Sequence, residues 1–131
     1  MGLSTTGFLI SHELFHKNGW LNKAIGTLHQ IKYLYMHFTV EHVQGHHKRV
    51  STPEDPASAP KGMTLGEFVP RSIIGSFKSA LQINPRFVML TIVGDLIFLG
   101  IIWAIFGARG VFLAILLALG SINMLETINY V

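Results

Sequence analysis

The sequence contains no cysteine. That absence excludes a disulfide framework, a thiolate-bound zinc site and any iron–sulfur or rubredoxin-type centre. Charge is scarce as well: only 13% of residues are charged, half are hydrophobic and the mean hydropathy is +0.45. A soluble domain of 131 residues is seldom so apolar, which points to a membrane protein. No cluster of basic residues accompanies the net charge of +3, so nucleic acid is not an expected partner. The N-terminus lacks the basic start of a secretory signal peptide. Lysine and arginine are nearly absent from the last third: nine of the ten precede Phe87 and only Arg109 follows. Such an asymmetry orients membrane proteins, and it places the charged 48–86 segment in the cytoplasm.

What the chain has is histidine. Five of its seven histidines fall in two short blocks, His12-Glu13-Leu14-Phe15-His16 and Glu41-His42-Val43-Gln44-Gly45-His46-His47. Imidazole is the commonest protein metal ligand, and helical residues four apart share a face. On α-helical geometry His12 pairs with His16 and His42 with His46, while His47, turned about 100° away, reaches toward a second ion. The first block alone matches a zinc-protease pattern with Glu13 as general base. Five imidazoles exceed the three protein ligands of a catalytic zinc and suit two metals instead. Imidazole by itself does not choose among zinc, copper, iron and nickel. A zinc protease and a non-enzymatic heavy-metal binder both remain open on spacing alone. Glu13 and Glu41, which flank the ligands in mirrored order, are expected to accept the imidazoles' other N–H, as outer carboxylates do. Asp55 and Asn129 are further candidates for orienting ligands. His29 and His37, outside the blocks, read as packed histidines.

The organisation follows the apolar pattern. Residues 3–16 and 21–47 read as two His-bearing helices, the first stopped by Lys17-Asn18-Gly19. Three of the five prolines lie within 51–62, an extended loop. Thr64-Leu65-Gly66-Glu67 has capping-box spacing. Behind it Leu65, Phe68, Val69, Ile73, Ile74, Phe77 and Leu81 form an apolar stripe, with Arg71 and Lys78 off it; this helix fits the membrane interface or packs beneath the site. About 87–106 and 111–129 read as a transmembrane hairpin turned by Gly107-Ala108-Arg109-Gly110. The hairpin should return Glu126, Asn129 and Tyr130 to the membrane face that carries the histidines. Asp95, within a span, is expected to hydrogen-bond Ser121 or Asn123. The fold class is all-α, an integral membrane helical protein with its metal site on the cytoplasmic side.

Four blocks together carry a resemblance: His12-Glu13-Leu14-Phe15-His16-Lys17; Glu41 through His47; Val50-Ser51-Thr52-Pro53-Glu54-Asp55-Pro56-Ala57; and Leu125-Glu126-Thr127-Ile128-Asn129-Tyr130-Val131. In order and spacing the chain resembles the membrane-bound alkane 1-monooxygenases, within the histidine-box superfamily of desaturases and hydroxylases. Xylene monooxygenases share much of the pattern. Fatty-acid desaturases share the histidine boxes, but their second box is usually His-x-x-His-His rather than His-x-x-x-His-His. The resemblance implies two non-haem iron ions, ligated in part by His12, His16, His42, His46 and His47. It implies insertion of one oxygen atom of O2 into a terminal alkane C–H bond, with electrons from rubredoxin and rubredoxin reductase, in a plasma membrane if the source is bacterial. The family continues past this point with a Glu-His-Tyr-Gly motif and a three-histidine box. Residues 1–131 are therefore expected to form one partial domain, truncated at both ends and inactive alone.

Overall fold

The computed structural model describes residues 2–130, with side chains described from Gly7 to Tyr130. Among the described residues there are helices and turns and no strand, the all-α class expected from the sequence. Helix α1 (Gly2–His16) ends in the Lys17-Asn18-Gly19 stop. Helix α2 (Trp20–His29) follows, with Gly19 at φ 104° before it, a conformation that favours glycine. Gly26 lets α2 close on α1: a Cβ there would meet the Phe15 ring at 2.8 Å.

The single helix expected over 21–47 is broken. A 3₁₀ turn (Ile31–Tyr33) follows α2, and Leu34 adopts the left-handed conformation at φ 52°. This break, which the local pattern does not announce, turns Tyr33, Tyr35, Met36 and Phe38 into the interior. Phe8 of α1 stacks on Tyr33 at 4.3 Å and meets Phe38 edge-on at 6.4 Å. Phe15, Tyr35 and Ile122 complete the core. Helix resumes as α3 (Phe38–Val40), opens into a π-helical turn (Glu41–His46) and closes as α4 (His47–Arg49).

Helix α5 (Leu65–Ile83) begins with the expected capping box, Thr64 N donating to Glu67 Oε2 at 2.9 Å and Glu67 N to Thr64 Oγ1 at 3.4 Å. Its buried face differs from the stripe read in the sequence. Phe68, Ser72, Ser76, Ser79 and Ala80 are buried, while Leu65 and Ile74 are exposed. The serines face the polar groups of Tyr35, Arg49 and Glu126: Ser79 Oγ accepts from Arg49 Nη2, while Ser72 Oγ has no partner. The displaced apolar residues face outward, consistent with a helix at a lipid boundary.

Helix α6 (Pro85–Tyr130) is one apolar run with a non-helical residue, Gly107, at φ 63° and ψ −163°. Two contacts show that it doubles back there. Gly94 lies against Met36, where a Cβ would be 2.8 Å from Cε, and Glu126 accepts from the hydroxyl of the adjacent Tyr35. In a straight helix Gly94 and Glu126 would be about 48 Å apart. Each limb, 85–106 and 108–130, spans about 33 Å, enough to cross a bilayer core. Only 11% of the most apolar window is buried inside the protein, leaving the rest for lipid. Asp95 does not make the expected bridge: its Oδ1 has no partner, and Asn123 Nδ2 donates instead to Leu119 O at 2.9 Å. The serine or asparagine that would answer it is occupied within its own helix turn in the case of Asn123.

Candidate metal centre

Four imidazoles meet at the end of α1. His12 and His16, one helical turn apart, place their Nε2 atoms 3.3 Å from each other. His42 and His47 place theirs 3.1 Å apart. The two pairs face one another, with ring centroids of His12 and His42 at 4.8 Å and of His16 and His47 at 4.7 Å. One nitrogen from each of the four lies within 4.8 Å of the others. Phe38 stacks on the His42 ring at 4.8 Å and ties this arm to the core.

The pairing is not the one α-helical geometry predicts. The π-helical turn bonds the N–H of His47 to the carbonyl of His42, five residues back. It thereby brings the His47 ring to 4.5 Å from that of His42, with His46 stacked farther off at 5.6 Å. π-Turns are uncommon, and they concentrate at functional sites because they re-aim side chains within a helix. Gly45 leaves room beneath the turn for the Glu41–Arg49 ion pair. A Cβ there would sit 2.6 Å from Glu41 Oε1 and 2.8 Å from Arg49 Nη2.

The residues fit a first-row transition-metal ion. Nitrogens at 2.0–2.1 Å from a tetrahedral ion would lie about 3.3 Å from each other, close to the two within-pair distances, while the four together spread to as much as 4.8 Å. The rings also favour the neutral, ligating form. Burial pushes the His42 imidazolium pKa down to about 3, helped by His12 and His47. Burial, then His16, lowers His12 and His47 in the same way. His16 and His47 are exposed and His12 and His42 half-buried, so the group is open to solvent on one side.

His46 stands outside this group. Its Nδ1 is 2.8 Å from Asp55 Oδ2. Asp55 is fully buried, and it also accepts from Ser58 Oγ at 2.6 Å and from Ala57 N at 3.1 Å. With the carboxylate as acceptor Nδ1 is the donor, and in the neutral ring that leaves Nε2 as the nitrogen available to a metal. His46 borders a cavity of about 670 Å³ between the proline loop and the end of α6, also lined by Asn129 and Tyr130. The hairpin thus returns Asn129 and Tyr130 to a histidine, as the topology predicted.

The other expected positions separate. Glu13 is exposed, and its nearest effect is electrostatic, on His12. Glu41 is fully buried but accepts from Arg49 Nη2 at 3.4 Å rather than from an imidazole, and its Oε2 has no partner. Burial, then Asp55, raises its pKa, against His46 and Arg49. Asn129 Nδ2 donates to Glu126 Oε2 at 3.5 Å. His29 is packed as expected, bonded to Ser11 Oγ at 2.9 Å and facing Lys32 Nζ at 3.1 Å. His37 is buried between Tyr35 and Phe77, and burial lowers its pKa to about 4.

Sequence reasoning brought Glu126 to the histidine face without a partner, offered Arg49 to Glu54 or Asp55 rather than to Glu41, and gave Ser79 no role. Glu126 is buried, accepting from Tyr35 Oη at 3.3 Å. An acid in an apolar run was the available signal. Arg49 links Glu41 to Ser79, with Nη2 at 2.5 Å from the serine. Nothing in a serine's sequence neighbourhood marks it as an arginine's partner.

An all-helical, apolar chain that gathers histidines from two boxes at one end of a doubled-back apolar helix defines a membrane-associated histidine-box protein with a metal-binding cluster. The chain belongs to the fatty acid desaturase family, whose profile matches residues 1–131. It is 32% identical over 144 aligned residues to alkane 1-monooxygenase 1 of Pseudomonas aeruginosa, covering 98% of this chain and 37% of that protein. It is 49% identical over 74 residues to the alkane 1-monooxygenase of Acinetobacter baylyi, covering 56% of this chain and 18% of that protein. The hydroxylase component of a xylene/toluene monooxygenase from Pseudomonas putida is 34% identical over 75 residues, 57% of this chain and 20% of that protein. The chain therefore spans little more than a third of the length of these relatives, or less.

Proposed function

We propose that, within a full-length enzyme, this chain supplies five histidine ligands of a non-haem di-iron centre that hydroxylates the terminal carbon of alkanes. The observation that carries the reading is the four-imidazole group of His12, His16, His42 and His47, whose nitrogens lie within 4.8 Å of one another in a chain of this family. These four would hold one ion. His46, oriented by Asp55, would contribute to the second, whose remaining ligands lie in the part of the family's pattern beyond this sequence. Bound iron supplies the redox chemistry that O2 activation requires. The protein's own part is to present neutral imidazoles, fix their directions through Phe38 and Asp55, and keep lipid-side access for an apolar chain along α6. By resemblance the electrons come from rubredoxin and its reductase, and the site faces the cytoplasm.

A zinc-protease reading is less well supported. Four imidazoles fill the coordination that a catalytic zinc must leave partly open, and Glu13 has no hydrogen-bond partner in the site. Purified full-length protein, assayed for metal and for O2-dependent conversion of alkanes of graded length, tests the proposal. About two irons per chain with terminal alcohol as product is the expected result. Zinc in place of iron, or metal without O2 consumption, would refute it.

A further inference from the structure

The proline loop that carries Asp55 is held from one side by a single residue. Arg71 lies off the apolar stripe of α5, where a solvated cation is the ordinary expectation. Its guanidinium instead faces the loop's backbone. Nη1 donates to Ser58 O at 2.9 Å and Pro56 O at 3.3 Å. Nη2 donates to Pro53 O and Asp55 O, each at 3.4 Å. Prolines lack an N–H, so such a loop has few backbone donors of its own; within 53–58 only Ser58 N reaches one of these carbonyls, Asp55 O at 3.4 Å. A planar group with five donors can collect several at once, whereas an ammonium is a point donor. One turn further along α5, Gly75 seats the same loop: a Cβ there would be 2.5 Å from Pro56 Cβ. Both observations converge on the segment 53–58, whose Asp55 side chain is buried and fixed on His46.

We infer that Arg71 is a positioning residue of the metal centre. By drawing the carbonyls of Pro53, Asp55, Pro56 and Ser58 onto one guanidinium, it sets the place of the Asp55 carboxylate and, through it, the direction of His46. The inference rests on the reading of His46 as a ligand. Arg71 touches no histidine, and the four-imidazole group is held through α1 and the π-turn rather than through this loop. Its effect is therefore selective for the His46 arm.

The test uses the full-length protein with Arg71→Ala, Arg71→Lys and, as control, Lys78→Ala on the exposed face of the same helix. Three quantities are read: metal per chain, hydrogen exchange of the 53–58 amides in metal-free protein, and carbethoxylation of His46 relative to His29 in metal-free protein. Arg71→Ala should keep one of two ions, weaken binding of the other about tenfold or more, and speed both loop exchange and His46 modification. Arg71→Lys should repair these only in part, because one ammonium cannot span four carbonyls. Lys78→Ala should match wild type. Unchanged loop exchange in either variant, equal loss of both ions, or full repair by lysine would overturn the inference. Should wild type hold fewer than two ions, the ligand reading fails, and the two metal-free measurements still decide whether Arg71 positions His46.

Discussion

His42 and His47 put their Nε2 atoms 3.1 Å apart although they lie five positions apart in sequence. The π-helical turn between them makes this adjacency, and it divides the second histidine block between two arms. His47 joins the α1 histidines, and His46 turns to Asp55.

Replacing each histidine of that block should therefore have separable effects. In the full-length enzyme, His47→Ala removes a member of the four-imidazole group, and His46→Ala removes the other arm. Each should cut metal content by about half while abolishing alkane hydroxylation. Iron analysis beside product assay checks it, and full iron in His46→Ala would argue against ligation by His46.

Gly45→Ala should be costly. The added Cβ would press on Glu41 Oε1 and Arg49 Nη2, so either the ion pair opens or the π-turn relaxes. Overpacking of this kind costs about 1–3 kcal/mol. A lowered melting temperature together with reduced metal affinity is expected; a drop in stability alone would mean that the turn keeps its form.

Asp55→Asn keeps the size of the side chain but weakens its hold on His46 Nδ1–H. Outer partners of metal-bound histidines are worth about 10–100-fold in affinity. Metal titration should show one class of site weakened by that factor and the other unchanged.

His37 offers a pH test away from the ligand group. Its folded pKa is lowered from 6.5 to about 4 by burial. The unfolded state then binds more protons between those values, so the stability is complete above pH 6.5 and is lost as pH falls toward 4. The loss is on the order of 3 kcal/mol at most. Melting temperatures followed from pH 7 to 4 should fall less steeply for His37→Leu than for wild type; parallel curves would contradict the assignment.

Much of this was legible in the sequence. Lack of charge and long apolar runs gave the helical membrane class, and Gly107 with its neighbours gave the doubled-back helix, because a glycine-bracketed turn between two spans has few other meanings. The Thr64–Glu67 capping box is short-range chemistry, and it formed as read. The histidine blocks announced the site. What sequence did not give depends on partners distant along the chain. The serine face of α5 lies opposite Tyr35, Arg49 and Glu126, which are distant along the chain. The break at Leu34 exists because Tyr35 and Phe38 gain a core. Both override helical pattern in ways no local window contains. The π-turn is similar, since periodicity of 3.6 assigns His46 to His42's face.

That turn also bears on how histidine boxes of unequal length relate. The block here reads His-x-x-x-His-His, one residue longer than the usual desaturase box. An α-helix would align the outer histidines of the shorter form, which are four apart. The π-turn absorbs the additional residue and aligns the outer histidines of the longer form, five apart. On this geometry a one-residue insertion leaves the outer histidines adjacent and is taken up in the hydrogen-bond register of the turn. Counting residues between histidines is a poor measure of difference between such sites; the hydrogen-bond register of the helix that carries them is the better one.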